Sequence, residues 1–115
     1  MSEPAWQPDA GDLVWTDFTP ANGKEATGTR PAVVVSAKSF TINTGLTVVC
    51  PISSNVRRFP TSILLPAGLP VSGEVLTSHI RSIDTLARPV TYAGASVGPV
   101  LIDEIRALLA AIIGI

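Results

Sequence analysis

The stretch Gly28-Thr29-Arg30-Pro31-Ala32-Val33-Val34-Val35 decides the reading of the fold. Val33 to Val35 is a β-branched run, and branched side chains favour a buried strand. Pro31 stands at its head, where a missing N–H costs least. Arg30 precedes it, a permanent cation at the strand's mouth. Upstream, Gly23-Lys24-Glu25-Ala26-Thr27-Gly28 is small, polar and bounded by glycine, which predicts a mobile loop. A rigid strand entered from a flexible loop, with a guanidinium and a carboxylate at the junction, suits phosphate chemistry.

Outward from that strand, short apolar segments recur. Asp12 to Phe18 alternates, with Leu13, Trp15 and Asp17 on one face and Val14, Thr16 and Phe18 on the other. This predicts a strand with one wet face, broken by Thr19-Pro20-Ala21-Asn22-Gly23. The strand at the centre runs from Arg30 to Ser36. Asn43-Thr44-Gly45 signals a turn, and Leu46 to Cys50 is a further strand that Pro51 to Asn55 leaves. Val56 to Pro60 reads as a basic loop. Ser62 to Leu65, Glu74 to Leu76 and His79 to Asp84 complete the strands. The C-terminus changes period. Gly98-Pro99 starts a helix, Leu101, Ile105, Leu108 and Ile112 recur at helical spacing with Ile102, Leu109 and Ile113 widening the stripe, and Gly114 stops it. The expectation is a mainly β domain with a C-terminal helix, built as a small, partly open barrel.

Composition bounds the function. A chain of 115 residues is read as a single domain, 1–115, with residues 1–9 flexible. Folding buries roughly two-thirds of the unfolded surface at this length. The apolar fraction of 46% and charged fraction of 15% mark a folded chain, and so modest a charged surface favours self-association. A net charge of -1 argues against bulk electrostatic binding of long nucleic acid but leaves room for a local basic site. The lone Cys50, between Val49 and Pro51, reads as a buried structural thiol. The N-terminus lacks a signal-peptide pattern, and no apolar run reaches the roughly 20 residues of a membrane span. A cytoplasmic protein without a membrane partner is expected.

The chain resembles the MazF/PemK (Kid) toxins, from about Gly11 to Gly114. Gly11 to Phe18 and Gly28 to Val35 carry the resemblance, supported by the Pro51 segment, Gly73-Glu74-Val75-Leu76 to Ser82-Ile83 and the terminal helix. The resemblance implies an SH3-like barrel of the CcdB/MazF/Kid type and a homodimer. It also implies metal-independent cleavage of single-stranded RNA, no cofactor, and inhibition by an antitoxin of the MazE kind.

Metal-free cleavage by the ribose 2′-OH needs a proton acceptor, a proton donor and stabilisation of the anionic phosphorane. One histidine and one cysteine supply neither a His pair nor a zinc site. Arg30 matches the catalytic arginine of the family, and its fork grips phosphate with parallel donors. The competing reading pairs it with Asp12, Asp17 or Glu25. Ser53 falls where the family carries a catalytic threonine. A serine hydroxyl donates equally well but lacks the methyl that fixes the threonine rotamer. A local turn is its alternative role, and Ser54 is its neighbour should the register shift by one. Glu25 matches a family glutamate, either accepting the 2′-OH proton, holding Arg30, or remaining a solvated loop carboxylate. For RNA contact the resemblance and the interleaved rings and cations point to Phe18, Ser54, Asn55, Arg57, Arg58 and His79. His79 is also consistent with plain surface. Phe59 is read as core, and Asp84 and Arg88 as surface charge. The Asn55 to Phe59 loop differs from the better-known members, so no recognition sequence carries over. Two other functions fit this fold, a CcdB-like inhibitor of DNA gyrase and a toxin that binds RNA or antitoxin without cutting.

Overall fold

The structure, a computed structural model, describes residues 5–18 and 28–115. The strand predicted from Arg30 onward is β2, Thr29–Val34. It sits between β1, Asp12–Asp17, and β3, Leu46–Ser53, and runs antiparallel to both. Beyond these come β4, Ser62–Leu64; β5, Glu74–Leu76; β6, Arg81–Asp84; and β7, Val90–Ser96. The sheet order is β4-β5-β3-β2-β1-β7, with β6 also paired to β3. The sheet is not closed on itself, in keeping with the partly open barrel expected.

Both faces of the central strands are dry, which explains their continuous apolar runs. Leu13, Val33, Cys50 and Ile52 point to one face, with Ile102, Ile105 and Leu109 of the C-terminal helix against them. That helix is α2, Pro99–Ile113. It begins at Pro99 and ends on Gly114 in the left-handed region, where glycine carries no Cβ penalty. Arg106 Nη2 ties it to the Val35 carbonyl at 3.2 Å. Val14, Phe18, Ala32, Val34, Val49 and Ile83 fill the opposite face. The expected wet face of β1 is therefore confined to Trp15, 41% exposed beyond buried Leu13.

Several boundaries differ from expectation, each for a physical reason. The turn expected at 43–45 is the end of a short helix, α1, Lys38–Thr44. Gly45 takes φ 75° and returns its N–H to the Thr41 carbonyl, so the same residues serve a helix stop. Asp9 Oδ1 accepts the Lys38 N–H at 2.9 Å at the other end. β3 continues through Pro51, because the proline falls between two partners on one side. β6 pairs with residues up to Val49, and β5 takes over at Ile52. His79 ends a 3-10 turn, Thr77–His79, and the strand starts only at Arg81. β7 was not foreseen; its Ala93-Gly94-Ala95 centre has weak strand propensity. Trp6 stacks on Tyr92 of this strand, with ring centroids 5.3 Å apart. Burial pushes the Cys50 thiol up to about 12, as fits a structural thiol.

Candidate active site

Strand register decides which side chains share a surface. Thr16 opposes Arg30, Val14 opposes Ala32, and Ala32 opposes Pro51. Side chains alternate along a strand, so Arg30 points to the face filled by Phe18, Ala32 and Val34. Ser53, two residues beyond Pro51, points to that face too. Extending the Ala32–Pro51 register by one pleat sets Arg30 against Ser53 (β3 by then pairs with β5, Ser53 opposite Glu74). The two residues singled out for catalysis therefore point to one face of the sheet, both half-buried.

Cations converge there. Arg81 opposes Val49 and so lies on the same face. Its Nη1 donates to the Phe18 carbonyl at 3.1 Å, and its guanidinium carbon lies 5.4 Å from the Phe18 ring centroid. Arg88 Nη1 donates to the Asp17 carbonyl at 3.0 Å. Both arginines thus hold the end of β1 beside Arg30. Arg88 is no idle surface charge. Asp84 is likewise engaged, its Oδ1 accepting the Leu86 N–H at 2.9 Å within a tight turn. The sequence does carry a signal for Arg81, which alternates with buried Ile83 and so shares its face.

Phe18 requires correction. It is completely buried in the apolar face, so its ring offers no platform for a base. The strand alternation that placed it with Val14 and Thr16 already implied this. Phe59, expected in the core, is 50% exposed instead. It lies in the Asn55–Phe59 loop with Arg57 and Arg58, also exposed, and supplies the free ring that Phe18 does not.

The loop that leaves β3 is built from its own polar groups. Ser53 Oγ accepts the Asn55 N–H at 3.2 Å and lies 3.4 Å from the Asn55 carbonyl, the local turn weighed from sequence. Asn55, with its amide oxygen turned to Arg57, accepts from Nη2 at 3.1 Å and Nε at 3.2 Å. Glu74 was not anticipated. Its carboxylate is buried beneath the loop and accepts the backbone N–H groups of Arg57 and Arg58, both at 3.0 Å. Gly73 beside it has φ 128°, and a Cβ there would stand 2.1 Å from the Ser53 carbonyl oxygen. Only glycine allows this approach. Ser54 is exposed at the start of the loop, and His79 is half-buried at the end of its 3-10 turn. Glu25 lies outside the described residues. Among the described residues, no group of three or more His, Cys, Asp or Glu side chains could hold a metal ion.

A small open β-sheet with a helix across one face and guanidinium groups at the rim of the other defines a class of domain whose rim is suited to an anionic ligand. The protein comparisons make that class specific. Residues 9–113 match the family described as PemK-like, MazF-like toxin of type II toxin-antitoxin system, and the chain belongs to that family. It is 36% identical over 107 residues to the endoribonuclease toxin MazF of Escherichia coli K12, covering 93% of this chain and 95% of that one. Endoribonuclease MazF9 of Mycobacterium tuberculosis is 37% identical over 97 residues, 75% of this chain and 82% of that one. The crystal structure of MazF from Deinococcus radiodurans superposes with a TM-score of 0.91 at 40% identity, covering 96% of this chain and all of that one. The MazE–MazF structure from the same organism gives 0.83 at 37% identity over 96% of this chain and 99% of that one.

Proposed function

We propose that this chain, an endoribonuclease toxin by family, cuts single-stranded RNA such as mRNA at a short sequence without a metal ion. The observation that carries the reading is the placement of Arg30 and Ser53 on a single sheet face, beside converging arginines. The ribose 2′-OH gives up its proton and attacks the adjacent phosphorus, and the 5′-oxygen leaves and takes a proton from water. The products are a 2′,3′-cyclic phosphate, or the 3′-phosphate from its hydrolysis, and a 5′-hydroxyl.

Arg30 grips the non-bridging oxygens as charge grows on the phosphorane. The Ser53 hydroxyl keeps its proton for a phosphate oxygen. Its oxygen accepts a backbone N–H, and the 3.4 Å contact that competes for the proton is weak. Glu25 is the proposed acceptor of the 2′-OH proton. Ser54, Asn55, Arg57, Arg58 and His79 are proposed to contact the RNA, with Phe59 replacing Phe18 as the exposed ring.

The antitoxin proposed as partner is a small protein of the MazE kind, whose acidic tail folds across the arginines. The chain is proposed to act as a cytoplasmic homodimer. Val100 at one end of α2 and Ile113 and Ile115 at the other are exposed apolar side chains, which supports self-association. No helix among the described residues is long and apolar enough to cross a membrane. The binding-only reading draws on the local bond of Ser53. Single-turnover cleavage of RNA by the wild type and Ser53→Thr in EDTA separates the readings. Measurable cleavage by the wild type supports the enzyme; cleavage by Ser53→Thr alone supports the binding-only toxin.

A further inference from the structure

Glu74 is an acid where an apolar side chain would be expected. It is 2% exposed, on a strand whose next residue, Val75, belongs to the core. A buried carboxylate is costly unless its oxygens are bonded. Here each oxygen has its own donor, Oε1 the Arg57 N–H and Oε2 the Arg58 N–H. What these bonds hold is unusual too. Arg58 has φ 56°, the one left-handed non-glycine residue among those described, and its own N–H is bonded to Glu74. From there the chain of bonds continues outward. The Arg57 guanidinium is turned onto the Asn55 amide, and the Asn55 N–H is received by Ser53 Oγ.

We propose that Glu74 is a positioning residue for base selection. Its buried carboxylate fixes the backbone of the Asn55–Phe59 loop, so that the loop presents its cations and ring in one arrangement and accepts a narrow set of RNA bases. This rests on the ribonuclease reading. Glu74 touches no RNA and moves no proton. It acts through Arg57 and Arg58.

Glu74→Gln keeps the volume and loses one acceptor, since the amide NH2 then faces a backbone N–H. Glu74→Ala loses both. The test maps cut sites on a long single-stranded RNA with the wild-type protein and both variants, then measures kcat/KM on the preferred site and its single-base variants. The discrimination ratio is expected to fall about tenfold in Glu74→Gln and further in Glu74→Ala. A purely structural role lowers all sites together and leaves the ratio unchanged. An unchanged ratio in folded Glu74→Gln overturns the proposal. Hydrogen exchange of the wild-type Arg57 and Arg58 amides is the second readout, independent of cleavage. Protection by at least about tenfold is expected for each bonded amide, and exchange at the unprotected rate overturns the clamp. If the wild type leaves all RNA intact, the ribonuclease reading falls and base selection with it. The exchange result then still decides whether Glu74 holds the loop.

Discussion

Arginine is a poor proton donor, so removing the Arg30 side chain isolates the loss of charge stabilisation. Arg30→Ala is predicted to lower the cleavage rate by about 10²–10³-fold while the circular dichroism spectrum stays that of the wild type. Arg30→Lys keeps the charge but loses the fork, and single-turnover rates are predicted to fall between the two. At Ser53 the missing methyl leaves the hydroxyl freer than in threonine. Ser53→Ala should slow cleavage by about tenfold in initial-rate assays, the loss of one hydrogen bond to a charged group, and Ser53→Thr should equal or exceed the wild type. Cys50 makes a prediction about pH. Its folded value, about 12, lies above the ordinary 9.0. The folded protein therefore holds the proton more tightly than the unfolded chain. Its stabilising contribution is complete below pH 9 and is lost as pH rises towards 12. At pH 8 the native thiol should react with a disulfide reagent on the order of a thousandfold more slowly than in urea, followed by absorbance.

At the scale of elements, what was legible depended on periodicity. β2 and α2 were read nearly to their bounds, because Val33 to Val35 and the helical stripe each admit one reading. The buried part of the helix is narrower than the expected stripe. Ile102, Ile105 and Leu109 are buried, whereas Ile112 is 44% exposed. Leu and Ile on neighbouring faces look alike until the sheet chooses one of them. Ile105→Ala is predicted to destabilise the fold by about 2–5 kcal/mol in urea titration, because no solvent reaches that position to fill the gap. Arg30 and Ser53 stand out from local sequence, and the strand register sets both on one face. The candidate site was hidden where it depends on long-range pairing. The chain from Arg57 to Glu74 spans 17 positions, and Arg88 reaches 71 positions back to Asp17. No window of sequence brings such pairs together. Phe18 and Phe59 exchange roles: Phe18 follows the alternation of β1 into the face of Val14 and Val34, while Phe59 lies 50% exposed in a loop with no period to read.

For the whole molecule, the near-zero net charge and the basic rim describe different things. A formal charge of -1 spreads acids over the surface, while Arg30, Arg81 and Arg88 gather at one end of the sheet. Binding should therefore be local and salt-sensitive despite the balanced total. Arg58→Ala is predicted to reduce the slope of log K against log salt for a short single-stranded RNA by about 0.7, the share of one phosphate contact. The measurement that tests the central claim most directly is end-mapping of a long single-stranded RNA incubated in EDTA with the purified protein, beside Arg30→Ala. Cuts at one short motif, bearing 5′-hydroxyl ends and absent with Arg30→Ala, are the predicted result. Intact RNA with verified folded protein, or equal cutting by Arg30→Ala, would contradict it.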